Sequence, residues 1–342
     1  MLEKQSLVWL VNEFDFIGEY LAPLAGPGGL GLKDDAAILK PREGMDLILT
    51  KDTMVEGVHF PNDDYGTSLS SKLLRVNLSD LAAKGAIPIG YLLSIALPKT
   101  VGSKFFKDFR DGLKEIQNLF DFNLLGGDTV VTEGQIVITA TMIGEVPTGS
   151  MVKRDGAKVG DSVWVSGTLG DAYLGLKTIR EVNSCLNINQ NDINHFRSAY
   201  YRPVPRLLIA EQLRRYATSC IDISDGLVAD ALHLSHASNV NLTINVDDIP
   251  FSDQSQRWLL LQSDYDEALK KFLNWGDDYE LLFTLNSKYD DFFKSVSSNI
   301  GLRLTKIGRV CKGKGVNVVK ATKLIRFDET GHKHMFTKNK LS

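Results

Sequence analysis

The chain has 342 residues, of which 43% are hydrophobic and 24% charged, with a formal net charge of −3. That balance suits a folded soluble protein of two ordinary domains and offers no polybasic surface for nucleic acid. No apolar run approaches the roughly 18 residues of a membrane span. Residues 1–10 hold Glu3 and Lys4 rather than a signal-peptide core. Cys185, Cys220 and Cys311 are too few and too scattered for a disulfide framework or a Cys-based zinc site. A reducing cytoplasm is therefore the expected location, with no nucleic-acid or membrane partner.

In chain order, residues 16–24 read as helical, 36–39 as strand-like and 47–50 as a strand. Leu69, Leu73, Leu74, Leu78, Leu81 and Ala82 recur at helical spacing over 68–84. A β-like run over 91–97 stops at Pro98, and 104–120 is an amphipathic helix. Leu124 and Leu125 lead into Gly126 and Gly127, and 135–143 alternates as a strand should. Pro147 and Gly149 punctuate a boundary that divides 1–148 from 149–342. Beyond it the alternation resumes, with strands at 162–166, 219–224, 279–285, 304–310 and 316–319 and helices at 171–180 and 227–237. The fold class is mixed α/β in two domains.

Two glycine motifs do not carry nucleotide chemistry. Gly26, Gly28 and Gly31 have G-x-G-x-x-G spacing, but they follow a helix and precede a strand, the reverse of the dinucleotide-binding context. Gly308, Gly313 and Lys314 approach a P-loop, yet Gly315 replaces the hydroxyl residue that would hold a metal. A Gly/Lys-rich hairpin turn is the reading there.

The informative feature is a set of aspartates at strand ends and helix starts: Lys33-Asp34-Asp35-Ala36-Ala37, Thr50-Lys51-Asp52-Thr53, Asn77-Leu78-Ser79-Asp80, Gly126-Gly127-Asp128-Thr129, Asp222-Ile223-Ser224-Asp225-Gly226 and Gly276-Asp277-Asp278-Tyr279-Glu280. Any one of them can be read as a helix cap or turn. Asp80 is harder to dismiss, because it interrupts an apolar helical pattern. Together, oxygen-only groups of this kind suit Mg²⁺, which bridges carboxylates to phosphate oxygens and neutralises charge in phosphoryl transfer. In the Asp222–Gly226 stretch, Ser224 or Asp225 can cap the following helix, and Asp222 and Ser224 share a side if the strand runs that far.

The ordered set resembles the thiamine-monophosphate kinases over roughly residues 34–336, within the wider superfamily of aminoimidazole ribonucleotide synthetase-like ATP-using enzymes. The resemblance implies an N-terminal α/β domain that pairs in a homodimer, a C-terminal α/β domain completing the cleft, several Mg²⁺ ions, ATP as co-substrate and thiamine monophosphate as acceptor. By position it implies Asp35, Thr50, Asp52, Asp80, Asp128, Asp222 and Asp225 as metal ligands. Gly127, Asp128, Arg154 and Ser224 correspond to ATP contacts, and His59, Asp277 and His332 to contacts with thiamine monophosphate. Read alone, His59 is a surface or half-buried histidine and Lys153-Arg154-Asp155 a solvated turn, and the four tryptophans are packing groups, with Trp275 set apart by its place before Asp277. Two departures stand out. Lys33 replaces a usual Gly, and Lys51 replaces a small hydroxyl residue, leaving only its carbonyl for a metal. In the tail, His332 and Phe336 compete for the place of a substrate-packing ring.

The implied chemistry is direct in-line transfer onto a phosphate that is already ionised, with no catalytic side chain required. A selenophosphate synthetase is disfavoured because no Cys precedes Cys185. An aminoimidazole ribonucleotide synthetase fits residues 276–281 poorly, and a non-catalytic sensor has no need of so many carboxylates.

Overall fold

The computed structural model describes residues 12–61, 66–181 and 188–327. The chain divides into two compact units, Met1–Asn77 with Pro88–Glu145 and Leu78–Ile87 with Val146–Ser342. The first contains α1 (Glu13–Phe16), β1 (Met45–Val55), the greater part of α2 (Thr67–Ala83), β2 (Ile87–Pro98), α3 (Ser103–Phe120), β3 (Asn123–Thr132) and β4 (Val137–Pro147). Its sheet has the order β1-β4-β2-β3.

The hydrophobic spacing of α3 explains how this sheet is covered. Phe105, Phe106, Phe109, Leu113 and Ile116 fall on one face and are all buried. Gly112 lies at the contact with α2, where a Cβ would stand 2.2 Å from the Thr67 carbonyl and the Ser70 hydroxyl. Ser70 Oγ uses that close approach to donate to the Phe109 carbonyl at 2.7 Å.

Residues 36–39 are not a strand. Ile38 donates a backbone hydrogen bond to Gly28 across the 3₁₀ segment Pro27–Leu32, at 2.8 Å, and joins neither sheet. Conversely, the chain runs extended through Gly126 and Gly127, so Leu124 and Leu125 open a ten-residue strand.

The second unit is built on β5 (Asp161–Ser166), β6 (Ala217–Asp222), β7 (Asn241–Asn245), β8 (Leu281–Asn286), β9 (Leu304–Cys311), β10 (Gly315–Lys320) and β11 (Lys323–Ile325). Their order is β11-β10-β7-β9-β5-β8-β6. Helices α4 (Asp171–Arg180), α5 (Gln190–Tyr201), α6 (Ala210–Tyr216), α7 (Leu227–Ser238), α8 (Asp253–Leu260), α9 (Tyr265–Asn274) and α10 (Asp290–Ile300) complete it. Strand alternation divides its interior in two. Val163, Val165, Ile221 and Leu282 enter one core with α7 and α9, whereas Trp164, Cys220, Phe283 and Leu285 enter another with α10.

The Gly313–Gly315 stretch is not a hairpin turn. β9 pairs antiparallel with β7 and β10 pairs parallel with it, so the short connection passes the start of β7. Asn241 there donates to the Lys314 carbonyl at 3.2 Å. Burying Leu242 and Ile244 between two partner strands outweighs the local hairpin preference.

Candidate active site

In the first unit, Asp35, Gly127 and Asp128 line one cavity of about 600 Å³, together with Leu92 and Ser94. Its floor is the parallel pair β2–β3, in which Leu93 faces Gly127 and Ser94 faces Asp128. A Cβ at Gly127 would lie 1.8 Å from the Leu93 carbonyl, so this strand contact admits only glycine. Leu93 is buried while Ser94 and Asp128 are exposed, so the pleat turns the Asp128 carboxylate outward.

Thr50 and Asp52 do not line that cavity. They alternate along β1 with exposed Lys51 and Thr53 and share a face with buried Ile48 and Met54. The Asp52 N–H donates to Asn77 Oδ1 at 3.2 Å, and Asn77 is itself held by its donation to the Leu73 carbonyl at 2.8 Å. His59 follows β1 and folds back on it, its Nδ1 accepting the Val55 N–H at 3.0 Å. In the neutral ring the proton therefore sits on Nε2, which can donate but not accept.

The second unit brings Asp222, Ser224, Asp225 and Asp277 together through their backbones. β6 ends at Asp222, so Ser224 lies beyond the strand. Ile223 donates to the Glu280 carbonyl at 2.7 Å, Tyr279 to the Ile223 carbonyl at 2.8 Å, and Asp277 to the Ser224 carbonyl at 3.0 Å. A Cβ at Gly276 would meet the Ser224 carbonyl at 1.8 Å, which accounts for the glycine at the head of that motif. Asp277 and Tyr279 hold positive φ angles of 70° and 50°, an unfavourable conformation for side-chain-bearing residues.

Neither Ser224 nor Asp225 caps α7. Asp230, in the first turn of that helix, instead reaches back, and its Oδ2 accepts the N–H groups of Ser224, Asp225 and Gly226 at 3.0, 3.0 and 3.2 Å. Burial pushes the Asp230 acid up to about 7, opposed by those three donors. Asp222 is buried, and Ser79 Oγ donates to its Oδ2 at 2.9 Å.

Lys84 stands one helical turn beyond half-buried Asp80, and its Nζ donates to the Cys220 carbonyl at 3.1 Å. Burial lowers its pKa, with Arg154 acting in the same direction and Asp222 and Asp80 opposing. Arg154 is exposed, and its carbonyl accepts Ser238 Oγ at 2.9 Å.

The rest of the 276–280 motif is structural. Glu280 is buried against Arg206, whose Nε donates at 2.6 Å, and Ser166 Oγ adds 2.5 Å to the same carboxylate. Asp278 accepts the Gly170 N–H at 3.0 Å, and burial raises its pKa well above the usual carboxylate range. Trp164 and Trp258 are buried, while Trp275 is 37% exposed and packs its ring 5.3 Å from that of Tyr173. His332, Phe336, Trp9 and Cys185 lie outside the described residues.

Among the described residues no three His, Cys, Asp or Glu groups form a closed metal cage. The donor set at the predicted positions is nonetheless all oxygen, as Mg²⁺ prefers, and that ion commonly completes its shell with water and phosphate. Sequence reasoning missed Asn77, Asp230 and Lys84. Asn77 opens a motif already singled out, Lys84 ends the stretch read as helical over 68–84, and Asp230 interrupts an otherwise apolar first turn of α7.

A thiamine-monophosphate kinase of Caulobacter vibrioides is 38% identical over 90% of this chain and 86% of its own length. This chain belongs to the thiamine-monophosphate kinase family. Residues 33–146 match the family model described as AIR synthase related protein, N-terminal domain. The structure of thiamine-monophosphate kinase from Stenotrophomonas maltophilia superposes with a TM-score of 0.77 at 37% identity, covering 84% of this chain and 89% of the other. A structure of AaThiL complexed with AMPPCP and TMP aligns with a TM-score of 0.76 at 31% identity, over 95% and 97% of the two chains. The family is one of kinases, and its two-domain mixed α/β fold, related to aminoimidazole ribonucleotide synthetase, is the fold of this chain.

Proposed function

We propose that this chain phosphorylates thiamine monophosphate with ATP, releasing ADP and thiamine diphosphate. The likeness that carries the reading is to AaThiL complexed with AMPPCP and TMP, which extends over nearly the whole chain. A phosphate oxygen of the acceptor attacks the γ-phosphorus of ATP. The new P–O bond forms as the bond to the β,γ-bridging oxygen breaks, and ADP departs with that electron pair.

Asp35, Thr50, Asp52, Asp80, Asp128, Asp222 and Asp225 are the oxygen donors assigned to Mg²⁺. The ion would supply charge neutralisation at the transferring phosphoryl group. The exposed backbone at Gly127, and Arg154 and Ser224, are assigned to ATP. His59 and Asp277 are assigned to thiamine monophosphate, with His332 in the same role. The His59 tautomer supports this assignment, because an Nε2–H can donate to a phosphate oxygen but cannot take a proton from an alcohol. The acceptor phosphate needs no base, since its second ionisation lies near pH 6. A homodimer formed through the first unit and a cytoplasmic location belong to the same reading. Among the described residues no helix is long and apolar enough to cross a membrane.

The acceptor decides the matter. Thiamine monophosphate is expected to exceed free thiamine in kcat/KM by at least about 100-fold, the scale of the general-base contribution a free hydroxyl would require. Equal values, or a preference for free thiamine, would refute both the acceptor and the base-free transfer.

A further inference from the structure

The acidic residues at the end of α2 and the end of β6 have an ammonium group among them. Asp80 and Lys84 are four residues apart, and the Lys84 N–H still donates to the Asp80 carbonyl at 3.2 Å, so both side chains leave the same side of the helical turn. Ser79, beside Asp80, reaches Asp222 with its hydroxyl at 2.9 Å. The Lys84 Nζ is held at 3.1 Å by the carbonyl of Cys220, two residues before Asp222 on β6. The backbone is braced on both sides, with Val152 donating to the Lys84 carbonyl at 3.2 Å and Cys220 to the Lys153 carbonyl at 2.9 Å.

One of the three N–H donors of this half-buried lysine is held by a strand carbonyl. The ammonium charge acts on the carboxylates within reach, because screening is weak away from bulk water. Burial lowers the Lys84 pKa and Arg154 adds to that effect, while Cys220, Asp222 and Asp80 oppose it, so both carboxylates act on the ammonium.

We infer that Lys84 is a resident cation for the Asp80–Asp222 pair, stabilising it when no divalent ion is bound and weakening the hold of that pair on Mg²⁺. This rests on the assignment of Asp80 and Asp222 to Mg²⁺ above. Two consequences of opposite sign follow from one charge. Removing the ammonium leaves two neighbouring carboxylates to repel each other, which destabilises the metal-free protein. The same removal deletes a repulsion felt by an incoming dication, so Mg²⁺ binds more tightly. A residue that only braced the Cys220 carbonyl would produce the first effect without the second.

The experiment is thermal unfolding of the full chain, without nucleotide, titrated with MgCl₂ from a chelated start. The proteins compared are wild type, Lys84→Met, Lys84→Gln and Lys84→Arg. Lys84→Gln keeps a donor for the carbonyl and takes over the comparison where Lys84→Met does not fold. The expected result is a lower midpoint for the Met and Gln variants in chelator, with the Mg²⁺ concentration for half of the midpoint rise lowered about tenfold. Lys84→Arg, which keeps the charge, should retain the wild-type half-saturation. A Met or Gln variant shifted down equally at every Mg²⁺ concentration overturns the inference and leaves the metal assignment standing. A wild-type midpoint indifferent to Mg²⁺ overturns the metal assignment, and the inference with it.

Discussion

Asp128 occupies a poor position by local rules. Asp and Gly are both weak strand formers, yet Gly126, Gly127 and Asp128 run consecutively through β3. The glycines accept the close approach of β2, and the pleat then presents an exposed carboxylate to the same cavity as Asp35. Local rules broken without a packing gain mark residues kept for chemistry. Asp225 is the counterpart in the second unit, its N–H fixed by Asp230 at 3.0 Å. Asp128→Asn and Asp225→Asn should each lower kcat/KM by at least about 100-fold, the scale reported for removing one preorganised electrostatic contact. Neither should lower the unfolding midpoint of the metal-free protein, since each removes a negative charge while preserving side-chain size. Steady-state kinetics at saturating Mg²⁺ beside a chelated melt tests both halves. Near-wild-type turnover in either variant would remove that residue from the metal set.

At the level of elements, α7 positions the Asp222–Gly226 loop through Asp230. Three N–H groups that would otherwise stand unpaired at a helix start converge on one carboxylate oxygen. Asp230→Ala should therefore cost about 2 kcal/mol, the penalty for leaving such donors without a partner, and should cut turnover as Ser224 and Asp225 lose their anchor. Asp230→Asn keeps an acceptor oxygen and should retain most of both. Denaturant unfolding and kcat measured on the two variants decide it, and a fully stable Asp230→Ala would mean that solvent satisfies those donors.

This anchor was not legible in the sequence, where Ser224 and Asp225 stood at the expected capping positions and Asp230, five residues beyond Asp225, carried no assignment. Elements with a strong periodic signal were legible: the helix expected over 171–180 is α4, and that over 68–84 is α2 to within a residue. β7 was missed because Asn241 and Asn245 bracket only three residues, and its strand character comes from pairing on both sides with β9 and β10. α5 was missed because Gln190-Asn191-Asp192 begins a largely polar helix whose burial rests on Phe196 and Tyr200 alone. The site motifs could be read one by one, but their backbone zippering could not, because Ser224 to Asp277 is a pairing across more than fifty residues of sequence.

At the level of the whole molecule, the sheet of the first unit has one face on which, among the described residues, apolar side chains stand exposed. The α3 residues Phe109, Leu113 and Ile116 are fully buried, whereas Leu49 on β1, Leu92 on β2 and Val130 on β3 are 65%, 40% and 49% exposed. Leu92 and Val130 are on the outward side of the pleat, because they register with Gly126 and Ala96 across the β2–β3 pair and Leu93 and Ile95 point inward. Apolar side chains distributed over three strands of one sheet are more than isolated surface residues, and burying them against a second copy recovers the hydrophobic free energy that exposure forfeits. A symmetric pair also needs no second kind of partner, since each copy offers the same patch. The native chain should accordingly show twice its single-chain mass by light scattering at micromolar concentration. The double variant Leu49→Glu with Val130→Glu should shift toward the single-chain mass, because paired carboxylates in the centre of such an interface would be desolvated without partners. Far-ultraviolet circular dichroism should be unchanged, as both positions face outward from the sheet core. A native chain that is monomeric under these conditions would exclude dimerisation through this face, and a dimer unaffected by the double variant would move the contact to another surface.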